Sequence, residues 1–383
     1  MKKISLLLSY IVLAILSGCA HSKPASHFKT PITLPIETLK SNGSIIHRPF
    51  SKDKIASLEK EMEIILLATG AKGISASVGV PDNGIWCSAR GITGNTSKEK
   101  ITPDLEFYAG SIGKIFTAIV IFDLIEEDRL SLDDSVDKWF PEISWASHVT
   151  INHLLTHTSG IASFENTNEY ESHKYLYRNT KELISYVANK ELLFEPGKHY
   201  AYSNAGYLML GIIIEQATGR SYREAVEHYI INKINLRKTQ VITSETIHDL
   251  IVKGHHKGNV LSKSENYVVP FAAGSIAATP SDLIIFFQAL MSGKLLSQGS
   301  LQTMFSDMNL MTVTQSTYYG KGMVAALKTP VGNIIGHTGG GKGFKASLFY
   351  HPKRNIFVCV MMNDDIKAVD PAVFKFLEVM TEM

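Results

Sequence analysis

Cysteine is scarce in this chain: Cys19, Cys87 and Cys359 are the three in 383 residues. That excludes a small fold held together by several disulfides. An excess of charge is missing too. Lys and Arg number 38 and Asp and Glu 36, so nothing electrostatic points to a nucleic-acid partner. The apolar run from Ile4 to Leu16 is too short to span a bilayer. No internal repeat or low-complexity tract is visible, which argues against a solenoid or a disordered chain. What remains is ordinary globular composition, 45% hydrophobic and 19% charged, in a chain long enough for a large core and two subdomains.

The N-terminus is different in kind. Met1-Lys2-Lys3 precedes the apolar run, and a basic start followed by a short apolar stretch reads as an export signal. Leu16-Ser17-Gly18-Cys19 resembles a bacterial lipobox. The resemblance implies a signal peptide over 1–18, cleavage before Cys19, and a lipid on its thiol. Ala20 suggests sorting to the outer membrane, on its periplasmic side, in a host that has one. Removing Lys2 and Lys3 with the leader leaves basic and acidic residues equal in number. Residues 19–50 are rich in Pro, Ser, Thr, Lys and His without apolar period, and read as a flexible tether reaching on the order of 30 Å.

From residue 51 the pattern is that of a folded domain. Ile55, Leu58, Met62, Ile65 and Leu66 predict a helix over Ser51 to Gly70. Ile74–Val80 and Ile85–Gly91 read as strands around a Pro81–Gly84 turn. The period is helical from about Ser111 to Leu310. It returns to two in Val331–Gly336, Phe344–Tyr350 and Asn355–Met361, and a last helix starts near Pro371. Strands at both ends with helices between suggest a sheet domain interrupted by a helical one.

Three short stretches carry chemistry. In Phe107-Tyr108-Ala109-Gly110-Ser111-Ile112-Gly113-Lys114, a helix beginning near Ser111 would put Ser111 and Lys114 on one face. An amine one turn away can take the serine's proton, and the helix N-terminus favours developing negative charge. Read alone, Ser111 could equally be an N-cap and Lys114 a solvated lysine. In Tyr200-Ala201-Tyr202-Ser203-Asn204, before a helix over Leu208–Thr218, a tyrosine and an asparagine two apart can move a proton and hold an amide. Tyr202 alone would read as a core aromatic. In His337-Thr338-Gly339-Gly340 the glycines let a substrate backbone lie along a strand, with a backbone N–H as half of an oxyanion hole.

The ordered set Ser111-x-x-Lys114, Tyr202-x-Asn204 and His337-Thr338-Gly339 resembles the three active-site motifs of the class C β-lactamase and DD-peptidase group of serine hydrolases. Thr102–Tyr108, Leu130–Asp134, Leu154–Gly160 and Phe194–Gly197 are similar to the segments that group places between them. The resemblance covers roughly Ser51 to the C-terminus. It implies an α/β (α+β type) fold: a five-stranded antiparallel sheet flanked by helices, with a helical domain inserted and the site between them. Applied to this chain, residues 51–108 and 318–383 form the sheet subdomain and 109–317 the helical one. It also implies that Ser111 is the acylated nucleophile and that Lys114 and Tyr202 share the general-base work. Asn204 would position substrate and Lys114, and the N–H groups of Ser111 and Gly340 would make the oxyanion hole, with His337, Thr338 and Gly339 along the substrate. No cofactor is implied. True class C β-lactamases usually carry Lys-Thr-Gly in the third motif. His337 in that place resembles the DD-carboxypeptidase, D-aminopeptidase and esterase members, and makes a peptide on D-amino acids the expected substrate, with esters and β-lactams as alternatives. A different class of reading is a non-catalytic penicillin-binding or scaffolding protein. In the implied sheet the Cys87 and Cys359 strands flank the Ile74–Val80 strand. Two strand spacings, about 9.6 Å, are too far for a disulfide, so both are expected to be free thiols.

Rival patterns are weaker. Ala109-Gly110-Ser111-Ile112-Gly113 nearly matches an α/β-hydrolase elbow, but the long helical stretch after it does not suit that fold. Gly336 to Gly343 nearly spells a phosphate-binding loop, but Gly343 replaces the Ser or Thr that would hold magnesium. His153 and His157 have metal spacing, yet Leu154 stands where Glu would be needed, and His255-His256 reads as a solvated loop. No metal site is expected.

Overall fold

The structure is a computed structural model and describes residues 31–34, 50–81, 84–94, 99–172, 179–262, 270–312 and 316–381. The expected leader, Cys19 and most of the expected tether lie outside them. Helix α1 (Lys52–Thr69) is followed by strands β1 (Gly73–Val80), β2 (Gly84–Gly91) and β3 (Phe107–Tyr108). The middle carries α2 (Gly113–Glu126), α3 (Ile151–Leu155), α4 (Asn168–Ser172), α5 (Thr180–Ala188), α6 (Asn204–Thr218) and α7 (Tyr222–Val226). Then come β4 (Thr239–Val241), β5 (His255–His256), β6 (Asn259–Val260), β7 (Ile276–Ala278), α8 (Pro280–Met291) and α9 (Gln298–Met304). The chain closes with β8 (Asn309–Thr312), β9 (Thr317–Tyr319), β10 (Val324–Thr329), β11 (Gly332–Gly341), β12 (Phe344–His351), β13 (Ile356–Met362) and α10 (Asp370–Thr381).

The main sheet runs β2-β1-β13-β12-β11-β10-β9-β8, antiparallel throughout. It holds eight strands rather than the expected five, because β10, β9 and β8 extend it beyond β11. The sheet subdomain therefore resumes before residue 318. Indeed α8 already packs on β1 and β13. The helical part is also less purely helical than its period suggests, since β3, β7 and β4 pair into a small second sheet. Part of the expected tether is held in place. Ile32 exchanges backbone hydrogen bonds with Met308 at 3.0 and 2.7 Å, and the Leu34 N–H donates to Phe305 O at 3.0 Å.

Both faces of the sheet are covered, and the strand period sorts residues between two cores. Along β13, Val358, Val360 and Met362 face the layer of α1 and α10, whereas Phe357, Cys359 and Met361 face the layer of α2 and α8. Helix α1 forms where its termini are satisfied. The Ser51 hydroxyl accepts the Lys54 N–H at 3.2 Å, and Gly70 closes the helix at φ +66°. Helix α2 goes further than the one apolar face its sequence suggests, because every residue from Gly113 to Leu124 is buried. A helix apolar all round belongs in the middle of a fold. Cys87 and Cys359 both pair with Ser77, from opposite sides of β1, and both are free thiols.

Helix α2 is locked against α8 by Phe116 and Phe286, whose rings stack with centroids 3.9 Å apart, both side chains fully buried. Phe286→Ala should lower unfolding free energy by about 3–5 kcal/mol. Chemical denaturation checks this, and a loss under about 1 kcal/mol would show that the stack does not hold the two layers together.

Candidate active site

Ser111 sits in a single 3-10 turn, Gly110–Ile112, that runs directly into α2. The serine thus precedes the α-helix instead of starting it, and Lys114 follows one turn later. Lys114 is fully buried, and its Nζ lies 3.2 Å from Ser111 Oγ. Two other acceptors hold the same nitrogen, Asn204 Oδ1 at 2.7 Å and the Ala273 carbonyl at 2.7 Å. An ammonium has three N–H groups and a neutral amine two N–H groups and a lone pair. With Asn204 and Ala273 taking two N–H groups, the third direction points at the serine hydroxyl. In the neutral amine that direction is the lone pair.

Asn204 is not on a loop before a helix at Leu208, as the sequence suggests, but is the first residue of α6. Its turn is fixed by the Ser203 cap, which accepts the Gly206 N–H at 3.4 Å. The Asn204 backbone N–H donates to Ser163 Oγ at 3.0 Å and its Nδ2 to Glu165 Oε1 at 2.5 Å. Ser163 also donates to Glu165. The asparagine is therefore oriented, oxygen to lysine and nitrogen to carboxylate. Tyr202 lies across from it, with Lys114 Nζ 4.8 Å from its ring centroid. His157 packs on the far side, its ring 4.2 Å from Tyr202, and its Nδ1 accepts the Ser203 N–H at 3.2 Å. Burial first, then the nearby Lys114 charge, holds His157 well below the usual histidine range. It is a neutral wedge behind Tyr202.

The opposite wall is β11. Strand β10 pairs with it only as far as Gly336, so the edge from His337 to Gly341 is free and faces the nucleophile turn. A Cβ on Gly339 would come 1.8 Å from the Ala109 carbonyl and one on Gly110, at φ +55°, 2.3 Å from Gly340 N. Only glycine permits this approach. It brings the N–H of Gly340 alongside the turn that carries Ser111, in the arrangement an oxyanion hole requires. Ser111, Tyr202, Asn204, Thr338, Gly339 and Gly340 line one cleft of about 530 Å³.

His337 does not line it. Strand alternation sends Thr338 to the cleft and His337 to the buried side, 1% exposed. Its Nδ1 donates to Thr338 O, so Nε2 accepts from the Tyr319 hydroxyl at 3.0 Å. Burial first, then the Lys114 charge, pushes its pKa down to about 3. The expectation of His337 as a substrate-gripping group is thus corrected: it is a neutral support under β11. The solvated reading of His255-His256 is corrected as well. His255 is fully buried, and its Nδ1 faces Asn363 O at 2.9 Å. His256 lies in the cleft wall, 2.8 Å from Asp365. His153 Nδ1 accepts the Thr150 N–H in a capping box. Among the described residues, no three His, Cys, Asp or Glu side chains converge as a metal site would need. Glu165, Lys345, Asp365 and Asp370 also line the cleft and were not legible beforehand. They stand outside the motifs, on a loop, a strand and the approach to α10, with no local pattern to mark them.

The sequence pattern of the family described as Beta-lactamase matches residues 57–374. The chain belongs to the Beta-lactamase family. Penicillin-binding protein 4* of Bacillus subtilis (strain 168) is 29% identical over 303 residues, 74% of this chain and 66% of that protein. A teichoic acid D-alanine hydrolase of Staphylococcus aureus (strain MRSA252) is 25% identical over 243 residues, 61% of this chain and 56% of its own length. The chain thus spans just under two thirds of the first and little over half of the second. Among solved structures, a D-stereospecific amidohydrolase from Streptomyces sp. is 27% identical with TM-score 0.72, covering 85% of this chain and 99% of that one. The Beta-lactamase fold expected from the motifs is the fold observed, with a wider sheet.

A neutral buried His337 has a thermodynamic signature. Its pKa is about 3 in the folded chain and about 6.5 when unfolded. Below pH 6.5 the unfolded state takes up a proton that the folded state refuses. The stability His337 gives is therefore present above 6.5 and is lost as pH falls toward 3. Asp370, raised to about 6 by burial, slopes the other way, so the comparison must be between variants. His337→Gln should flatten the fall of Tm between pH 6.5 and 4.5 relative to the parent. Parallel curves would mean that His337 is not buried neutral.

Proposed function

We propose that this Beta-lactamase family member is a serine hydrolase. It forms an acyl-enzyme on Ser111 and cleaves an amide or ester bond next to a D-amino acid, in the manner of a DD-carboxypeptidase or D-amino-acid peptidase. The observation that carries the reading is the hydrogen-bonded line Ser111–Lys114–Asn204 facing the free edge of β11. Ser111 Oγ would attack a carbonyl whose oxygen lies between the Ser111 and Gly340 N–H groups. Its proton would pass to Lys114, and Tyr202 would deliver one to the leaving group. Water would then release the acyl group by the reverse path. The likeness to a D-stereospecific amidohydrolase and to a teichoic acid D-alanine hydrolase supports D-configured substrates.

Glu165 favours a particular form of substrate. Its carboxylate stands in the cleft beside Asn204, where it suits a free α-amino group on the acyl residue. The chain is proposed to work at the cell envelope, exported and held by a lipid on Cys19, with a small peptide or ester as partner and no nucleic acid.

D-alanyl and L-alanyl p-nitroanilides, each free and N-acetylated, test this. The parent should turn over the free D compound fastest, and Ser111→Ala should lose about 10³-fold or more. Glu165→Gln should raise KM for the free amine about tenfold more than for the acetylated compound, whatever loss both share through Asn204. Equal rates on the D and L compounds would contradict the substrate reading.

A further inference from the structure

The third motif supplies no cation, because His337 is buried, neutral and spent at both nitrogens. The cleft nevertheless holds one close to the reacting centre. Lys345 on β12 pairs with Gly340 and lines the cleft. Its Nζ lies 3.6 Å from where a Gly340 Cβ would stand. The Lys345 stem packs over the bare glycine, with Cδ 3.2 Å from the same point, which keeps its ammonium beside the β11 backbone in the cleft. Among the described residues the Lys345 ammonium makes no hydrogen bond or ion pair. Asp370, also in the wall, lies within its electrostatic reach, but its Oδ1 accepts from the Ser347 hydroxyl at 2.9 Å and makes no ion pair with the lysine. Asp365 is occupied by His256 and by the Gly343 N–H at 2.9 Å. Neither acid neutralises the lysine in a direct pair.

We infer that Lys345 is a specificity-determining residue. It selects substrates that carry an anionic group, a carboxylate or a phosphate, beside the scissile carbonyl on the side of Gly340. This rests on the hydrolase reading above and deepens it. Glu165 on one wall and Lys345 on the other would orient a substrate bearing an ammonium on its acyl side and a negative charge on its leaving side.

The test uses matched substrates that differ by one charge. D-alanyl-glycine is compared with D-alanyl-glycinamide, and the D-alanyl ester of glycerol phosphate with that of glycerol. The parent should prefer the charged member of at least one pair about tenfold in kcat/KM, and which pair shows it separates carboxylate from phosphate. Lys345→Met should bring that ratio close to one through KM, leaving the neutral members within about twofold, and Lys345→Arg should restore it. A parent ratio near one overturns the assignment, as does an equal loss on charged and neutral members in Lys345→Met. Turnover of the neutral members, abolished in Ser111→Ala, reports the hydrolase reading separately. If it persists with a ratio of one, Lys345 alone is reassigned, whereas no turnover of any of the four overturns both.

Discussion

The amine of Lys114 is held away from water by two oxygens that belong to different parts of the chain. Asn204 Oδ1 comes from the first turn of α6, and the Ala273 carbonyl from a short turn before β7. Those dipoles and the aromatic wall of Tyr202 and Tyr207, whose ring centroids lie 4.8 and 5.2 Å from the nitrogen, surround the lysine. Burying such a group is costly unless each hydrogen-bonding position is met. Here the Asn204 and Ala273 oxygens each take an N–H at 2.7 Å, and Ser111 Oγ lies 3.2 Å away. The central position of α2, buried from Gly113 to Leu124, follows from the same demand, since it must carry serine and lysine into the crevice between the sheet and the helices.

The second wall depends on a strand that loses its neighbour. Once β10 stops pairing at Gly336, no strand covers that edge of β11 from His337 on among the described residues, and such an edge invites an extended ligand. Glycines at 339 and 340 bring that edge against Ala109 and Gly110. His337 and Tyr319 fill the space beneath and stay neutral. A cation in that buried position would repel Lys114 and lack water. The cationic side chains that line the cleft, Lys342 and Lys345, come instead from beyond the motif.

Much of this was legible in the chain itself, because the motif residues are few and their local geometry is short-range. A serine and a lysine three apart at a helix start must share a face, and a tyrosine and an asparagine two apart just before a helix can reach one site. The termini of α1, at Ser51 and Gly70, were readable for the same reason. What could not be read depends on long-range packing. The three extra strands come from segments whose apolar residues fit a helical period as well as a strand. The burial of His255 and His337 depends on neighbours far along the sequence, and Pro31–Leu34 docks through backbone bonds that leave no side-chain pattern. Glu165 and Lys345 enter the cleft by fold alone.

The most direct test of the account is to find where a covalent label lands. The folded domain is incubated with a fluorescent penicillin, quenched, weighed intact and mapped by peptide mass, beside Ser111→Ala and Lys114→Met. The account expects a single adduct on Ser111, absent in Ser111→Ala and formed at least about 10²-fold more slowly in Lys114→Met. An adduct on another residue would contradict it. So would labelling of Ser111 at an undiminished rate without Lys114, because the serine would then be activated by something other than the buried amine on which this site is built.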